Sequence, residues 1–467
     1  MKRILVFCLA LAMSGCAVVG PDYSRPNLAL SERFTFDGTA DLRDVAYDRW
    51  WTGFDDPALD VFMEEGLARN LDIRVARARI LAAEAALRAT GVSQQVSGSV
   101  VAEAGRGRIN GRTFQTDGSD SVRLNASYVF DLFGGVRRGR QAAAARLAAQ
   151  VLEEGATRLA YQAELVGALI DARFFQAATR STNETIGSRR RILGLTNDLF
   201  DNGLVTRNDQ VRARAELAQA EADLPGYANG ARLAAIRIAV LLDQPVAPVL
   251  ARLERTAGRW PVYRGDLTAG VPVNLLRNRP DVMAAEQRLI ASFAQIGVRE
   301  AALYPSLQIA GSVQLDGDTL VTAVPQLSVP LLDRGRLIAQ RDQAAAAAVE
   351  SDALWRQELR DAIGEVENGL TTFQTASQEI AALSRALSQF QTLADLSRET
   401  FQIGDTTLLE LLDTDQNVQV ASLELVQARR AQALAAARLA VATGRGYLAG
   451  TVSTREGQME IAAAGKY

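Results

Sequence analysis

The sequence predicts a mainly α protein with a smaller β component, built as two tandem copies of one unit: a strand pair, a long helix, a glycine turn and a long return helix. Three observations predict it. Phe200-Asp-Asn-Gly203 returns as Phe401-Gln-Ile-Gly404, and Ala234-Ala-Ile-Arg-Ile-Ala-Val240 returns as Ala435-Ala-Ala-Arg-Leu-Ala-Val441, both at an offset of 201 residues. The return arm of the second copy holds a seven-residue rhythm. Leu411, Val418, Leu425 and Leu439 take one seam position, with Gln432 the exception, and Thr414, Ala421, Ala428, Ala435 and Ala442 take the other. A sustained heptad signals a coiled coil whose large residues face alanines, so that the helices approach closely; the alternative is an ordinary amphipathic helix. Third, apolar and polar residues alternate at period two just before each long helix. Val122, Leu124, Ala126, Tyr128 and Phe130 alternate with Arg123, Asn125, Ser127 and Val129, and Leu307, Ile309, Val313 and Leu315 with Gln308, Ser312 and Gln314.

Composition narrows the function. A net charge of −3 over 467 residues argues against a nucleic-acid partner, which selects a basic stripe. There is no histidine, and Cys8 and Cys16 are the only cysteines, so no His/Cys metal site, thiol–histidine pair or disulfide framework can be built. Lys2 and Lys466 are the only lysines among 51 basic residues; the arginine excess fits codon bias and carries no function.

In chain order, Met1–Gly15 reads as a secretory signal, with Lys2-Arg3, an apolar run Ile4–Met13 and small residues after it. It is too short to span a bilayer. Asp56-Pro57 opens a helix, aspartate as cap and proline in the first turn, running to about Thr90; its counterpart runs from Arg279-Pro280 to about Leu303. Strand pairs follow near Ser97–Arg108 with Ser121–Phe130, and near Ser306–Leu315 with Val321–Pro330, joined by loops Ile109–Asp120 and Asp316–Leu320. Such alternation suits a membrane strand with one lipid face and one polar lumen face, and equally a half-exposed strand of a soluble sheet. Gly134-Gly135 and Gly335 then open the long helices; residues 135 to 200 span roughly 100 Å at 1.5 Å each. Gly203 and Gly404 are left-handed C-cap positions, and Thr206 or Thr406 caps the helix that follows. Pro225-Gly226 should kink the first return arm. The resulting division is 1–15 signal, 16–55 N-terminal segment, 56–243 first repeat, 244–278 linker, 279–444 second repeat and 445–467 polar tail. Four strands per chain cannot close a barrel, and lipid forbids open sheet edges, so membrane strands would require an oligomer.

Several ordered motifs resemble one family. Ser14-Gly15-Cys16 resembles a bacterial lipobox, the alternative being an unmodified cysteine beside an ordinary cleavage site. Val19-Gly-Pro-Asp-Tyr-Ser-Arg-Pro26, Trp50-Trp-Thr-Gly-Phe-Asp-Asp-Pro-Ala-Leu59, Phe130-Asp-Leu-Phe-Gly134, Leu275-Leu-Arg-Asn-Arg-Pro-Asp-Val282 with Ala285-Glu286, Ala302-Leu-Tyr-Pro-Ser306 and Leu332-Asp-Arg-Gly-Arg336 look like signatures of outer-membrane efflux lipoproteins, the outer-membrane factors of tripartite pumps. Departures are local: Asn278 interrupts an arginine run, Tyr447 stands where tryptophan is usual, and Gln95 or Val96 replaces the proline kept as Pro305.

The resemblance implies long coiled-coil helices forming an α-helical tunnel, and a trimer whose four strands per chain close a twelve-stranded membrane β-barrel. It implies a passive exit duct in the outer membrane reaching into the periplasm, docked to a periplasmic adaptor protein and an inner-membrane pump. Energy comes from the pump, since no phosphate-binding loop is present. No cofactor is expected beyond covalent lipid on Cys16, and no catalytic residues. Gly203, Leu204, Gly404 and Asp405 would form the adaptor-docking tips, unless the glycines only close the hairpins. Asp413, Glu410 and Asp209 match acidic positions of the family's periplasmic gate, unless they lie on a solvated outer face. Asp413 and Glu410, three residues apart, share one helix face away from the Leu411 seam. Three copies would form an anionic ring favouring cations. Phe401 and Thr406 stand where the best-studied member of the family has a tyrosine and an arginine, so its particular lock is not reproduced. A type I protein-secretion duct and a pore-less structural coiled-coil lipoprotein are the alternatives; an enzyme has little support.

Overall fold

The computed structural model describes residues 18–35, 45–91, 95–103, 107–109, 112–114, 121–316 and 318–449. Two hairpins of very long helices carry most of the chain: α3 (Gly135–Asp201) returns as α4 (Arg207–Leu241), and α7 (Arg334–Gln402) as α8 (Leu408–Ala442). At 67 and 69 residues the outgoing helices each extend about 100 Å. The heptad seam of α8 is where the sequence puts it. Leu411, Leu425 and Leu439 are buried, as are Thr414, Ala421, Ala428, Ala435 and Ala442, while Val418 and Gln432 are half-buried. Helix α4 is continuous through Pro225.

The helix expected from Asp56 to about Thr90 is two helices, α1 (Pro57–Arg69) and α2 (Leu71–Arg88). Asn70 makes the break. Its backbone turns extended at ψ 132°, and its side chain accepts from the Ile73 N–H at 3.0 Å, ending one helix and capping the next. Asp56 caps α1 through the Ala58 N–H at 2.9 Å, with Pro57 in the first turn. The linker holds a further helix, α5 (Val246–Arg255), and α6 (Pro280–Ala301) opens the second repeat.

The strands are β1 (Val96–Glu103), β2 (Gly107–Ile109), β3 (Arg112–Phe114), β4 (Ser121–Phe130), β5 (Ser306–Asp316) and β6 (Asp318–Ser328). A four-stranded antiparallel sheet runs in the order β1-β4-β5-β6, and β2 and β3 pair as a separate ribbon. Two expectations are corrected. The first strand is described as far as Glu103, and Arg108, expected at its end, pairs instead with Thr113 in the β2–β3 ribbon. The loop expected over Asp316–Leu320 is far tighter: Asp316 pairs with Asp318, Leu315 with Thr319 and Gln314 with Leu320. Thr319 and Leu320 gain more from the ladder than from a loop.

Midway along the helices sit two cores. In one, Trp50, Trp51 and Phe54 of a short 3-10 turn pack with Phe62 and Met63 of α1, Leu165 and Leu169 of α3, and Ile238 of α4. In the other, Phe34 enters beside Val282 and Leu289 of α6 and Trp355 and Leu359 of α7. Residues Arg445–Ala449, expected in a polar tail, are drawn into this region. Arg445 is buried and pairs with Asp48 at 3.1 Å and Asp266 at 3.0 Å, and Ala449 joins the first core. A guanidinium that finds two carboxylates is worth ordering where a solvated tail is not.

Residues 18–35 strap the outside of α6. Gly20, at φ +87°, lies so close to Gly297 that a Cβ would come within 2.5 Å of its Cα. Asp22 pairs with Arg138 of α3 at 2.7 Å. Arg25 grips Glu286 of α6 with two bonds of 2.6 Å, and the Tyr23 hydroxyl donates to the same carboxylate. The Gly-Pro-Asp-Tyr signature is thus a docking motif, each of its functional groups having its own partner.

Candidate functional site

The sheet separates two chemistries across all four strands. Val100, Leu124, Val313 and Val321 lie in one register row, Val96, Tyr128, Ile309 and Pro325 in another, and Phe130, Leu307 and Leu327 in a third. With period two these rows share one face. The opposite face carries Ser99, Asn125, Ser312 and Thr322 in one row, and Ser97, Ser127, Ala310 and Val324 in the next. Its polar groups bond across strands: Ser97 with Ser127 at 2.7 Å, Ser312 with Thr322 at 2.8 Å, and the Gln308 amide donating to Gln326 at 2.7 Å. This polar face lines a shallow concavity. From Val122 to Phe130 the apolar face runs nine residues, about 27 Å at 3.4 Å each, close to the band of a membrane barrel. Tyr128 and Phe130, edge to face at 4.9 Å, stand at its helix-side end, where barrels place an aromatic girdle. Among the described residues, strands β1 and β6 each leave one edge unpaired. Among the described residues no helix is long and apolar enough to cross a membrane.

At the far end of the helices the two turns are built alike. Gly203 and Gly404 have φ of +74° and +83°. Gly203 N donates to Phe200 O and Leu204 N to Leu199 O; Gly404 N donates to Phe401 O and Asp405 N to Thr400 O. Both are left-handed helix terminations with the longer bond closing over the shorter. Leu204 is 71% exposed and Ile403 73%, while Phe401 is buried with Ile192, Ala213, Leu408, Leu411 and Leu412. Each tip therefore shows one exposed apolar side chain among exposed polar ones, Asp201 and Asn202 in the first and Gln402 and Asp405 in the second.

The three acidic residues singled out from sequence divide into two kinds. Asp209 and Glu410 occupy the third position of α4 and α8, related by the repeat offset, and both serve helix starts. Asp209 accepts from the Thr206 N–H at 2.9 Å and the Thr206 hydroxyl at 2.6 Å, and Thr206 returns a bond to the Asp209 N–H, a capping box. The Thr206 hydroxyl, then its backbone N–H, hold the Asp209 carboxyl below the usual range. The folded value is the lower one, so this contribution is complete above the ordinary aspartate range and fades as pH falls through the folded value. In the second copy the cap is Thr407, not Thr406; the Thr406 hydroxyl instead donates to Glu410 at 2.5 Å. The offset of 201 maps Thr206 onto Thr407, so the repeat itself carried the better assignment. Asp413 lies one turn beyond the capping turn and is exposed, on the side of α8 away from buried Leu411, Leu412 and Asp415. Cys16 and the rest of the signal region lie outside the described residues, as do residues 110–111 and 115–120 of the first strand loop. The strap shows where that end of the chain arrives: Val18 packs on Gly134, and Val19 N donates to Phe133 O, at the junction of sheet and α3.

The sequence reading missed the polar cluster behind the tips. Arg189 of α3 is only 2% exposed. Its guanidinium lies 3.0 Å from Asp415 and donates to Gln416 at 3.0 Å, both on α8, and to Glu216 of α4 at 2.8 Å. Ser188 donates to the other Asp415 oxygen at 2.6 Å. One signal pointed there: Asp415 stands one turn after Leu411, on the buried face of α8.

Comparisons agree with this geometry. The sequence pattern of the family described as outer membrane efflux protein matches residues 63–243 and 271–445, one match per repeat. The chain is 32% identical to nodulation protein T of Rhizobium leguminosarum bv. trifolii over 452 residues, covering 94% of this chain and 96% of the relative. It is 25% identical to the pyoverdine export outer membrane protein OpmQ of Pseudomonas aeruginosa over 467 residues, covering 96% and 97%. Among solved structures, the outer-membrane channel OprN superposes with a TM-score of 0.79 at 28% identity, covering 92% of this chain and 99% of that one. The chain belongs to the outer membrane efflux protein family, and it is an outer-membrane efflux channel of the Gram-negative envelope, reaching into the periplasm.

Proposed function

We propose that three copies of the chain form the passive exit duct of a tripartite pump, each contributing four strands to a twelve-stranded barrel above a shared helical tunnel. One observation carries this reading: an apolar face continuous across four strands that end in two unpaired edges. Lipid does not tolerate open edges, and joining β6 of one copy to β1 of the next removes them all. The polar face then lines the lumen. At the other end the exposed Leu204 and Ile403, with Gly203, Gly404 and Asp405, offer a rim of mixed apolar and polar groups to the hairpin of a periplasmic adaptor, which links the duct to an inner-membrane pump; cross-links from Leu204 and Asp405 should capture that adaptor. Relatives named for pyoverdine export and for cation efflux support small solutes and ions as cargo rather than folded protein.

Cys16 carries lipid in this reading. The Ser14-Gly15-Cys16 motif supports this, as does the arrival of the strap at the sheet–helix junction through Val18. Intact-mass analysis should show a mature chain beginning at Cys16 with added acyl mass; an unmodified start at another residue refutes it. The decisive experiment for the duct is reconstitution of the purified full chain in planar bilayers. Discrete conductance steps from a species of trimeric mass are expected. Membrane-bound protein that never conducts would favour a pore-less structural role.

A further inference from the structure

We propose that Arg189 is a positioning residue for the tunnel's acidic ring: by holding Asp415, it sets which face of α8 looks into the lumen. This rests on the reading of Asp413 and Glu410 as that ring. Successive helix residues turn by about 100°, so Asp413 and Asp415 point some 200° apart. Fixing Asp415 inward against α3 therefore turns Asp413 outward, as observed: Asp415 is buried and Asp413 exposed. The cluster joins three helices of both hairpins, because Arg189 and Ser188 belong to α3, Glu216 to α4, and Asp415 and Gln416 to α8. Nothing apolar could do this as specifically. The other seam of α8, against α7, is mostly leucine and alanine, which tolerate small rotations, with one polar contact where Gln432 donates to Ser377 at 2.9 Å, whereas a buried guanidinium must keep its carboxylate beside it. Seven residues along the same α3–α8 seam, the Ser181 and Ser422 hydroxyls meet at 2.8 Å, continuing the register by two turns.

The proposal predicts a sign that plain electrostatics does not. Removing a positive charge close to an anionic ring should tighten block by a trivalent cation. If Arg189 positions the ring, removing it should weaken block instead. The experiment is single-channel recording of the full-length trimer with hexaamminecobalt(III) added on the tip side. Arg189→Met should weaken block by roughly tenfold or more, since it leaves the buried Asp415 carboxylate without its cation and frees α8 to turn. Glu216→Gln should leave block near wild type, because Asp415 still holds Arg189. A Ser181→Cys/Ser422→Cys disulfide in the Arg189→Met background re-imposes the seam and should restore block, reversibly with reductant; Cys8 and Cys16 are the only native cysteines to consider. Unchanged or tighter block in Arg189→Met overturns the proposal. Should that variant fail to assemble, Asp415→Asn with the same cysteine pair gives the same reading, oxidised against reduced. The control Asp413→Ala/Glu410→Ala separates the two levels: if it keeps wild-type block, the ring lies elsewhere and the proposal falls with it, whereas loss of block there with full block in Arg189→Met overturns the positioning role alone.

Discussion

Asp56 shows how much one side chain can hold in this molecule. One of its oxygens caps α1, and both meet Arg173, which donates from Nε at 2.9 Å and from its terminal nitrogen at 3.2 Å. Arg173 directs its remaining donors to Gln176 Oε1, Leu253 O and the Thr256 hydroxyl, so every group of this almost solvent-free pair is satisfied. Breaking such a pair from one side leaves a buried unpaired charge, at a cost of about 3–5 kcal/mol. Asp56→Ala should therefore lower the unfolding midpoint sharply in denaturant titrations. Glu221→Ala, which removes the exposed partner of Arg190, should change stability by less than about 1 kcal/mol. Equal effects from the two would refute the account. The sequence showed Asp56 as a cap through its proline neighbour, but not Arg173 as its partner, because the two are 117 residues apart and no local pattern links them.

At the scale of elements, glycines with positive φ look equivalent in sequence and are not. Gly404 turns at φ +83° with nothing within 4 Å of a would-be Cβ, so Gly404→Ala meets only the backbone cost of a left-handed alanine, about 1 kcal/mol. Gly444 ends α8 at φ +78°, where a Cβ would lie 2.2 Å from the Asn278 carbonyl oxygen and 2.6 Å from its carbon. Backbone cannot swing aside as a side chain can, so Gly444→Ala should unsettle the contact between the end of α8 and the start of α6. Thermal melts of the two variants should separate clearly, Gly444→Ala the lower; the reverse order would mean that turn strain dominates. This contrast also marks what the chain made legible. Hairpins, the alanine seam and the left-handed turns were readable because each is a local or periodic pattern. The break at Asn70, the pairing of Asp316 with Asp318 and the burial of Arg445 were not, since each is decided by a competing local bond or by a partner from the other end of the chain. Of the three acids that the sequence singled out, the local roles of two were not legible: the capping of Asp209 and Glu410 depends on which threonine starts each helix.

For the whole molecule, the sheet makes the sharpest demand, because its two faces must meet different solvents once the barrel closes. Val313 lies on the apolar face in the row of Leu124 and Val321, and Ser312, its neighbour, lies on the polar face in the row of Asn125 and Thr322. An arginine on the lipid face of a membrane strand near mid-depth costs about 2–4 kcal/mol, and a trimer incurs that cost three times. Val313→Arg should therefore cut the yield of assembled, membrane-inserted trimer severely. Ser312→Arg puts the same side chain into water, so trimer yield should hold while single-channel conductance falls and selectivity moves toward anions, three new positive charges now lining the lumen. Trimer yield on mild-detergent gels and conductance in bilayers read the two effects separately. A soluble half-exposed sheet would tolerate Val313→Arg as surface decoration, and normal assembly of that variant would place the apolar face against protein rather than lipid. The pairing of one variant that fails to insert with one that inserts and conducts differently is the signature expected of a closed barrel, because only closure puts adjacent residues of a single strand in hydrocarbon and in water at the same height.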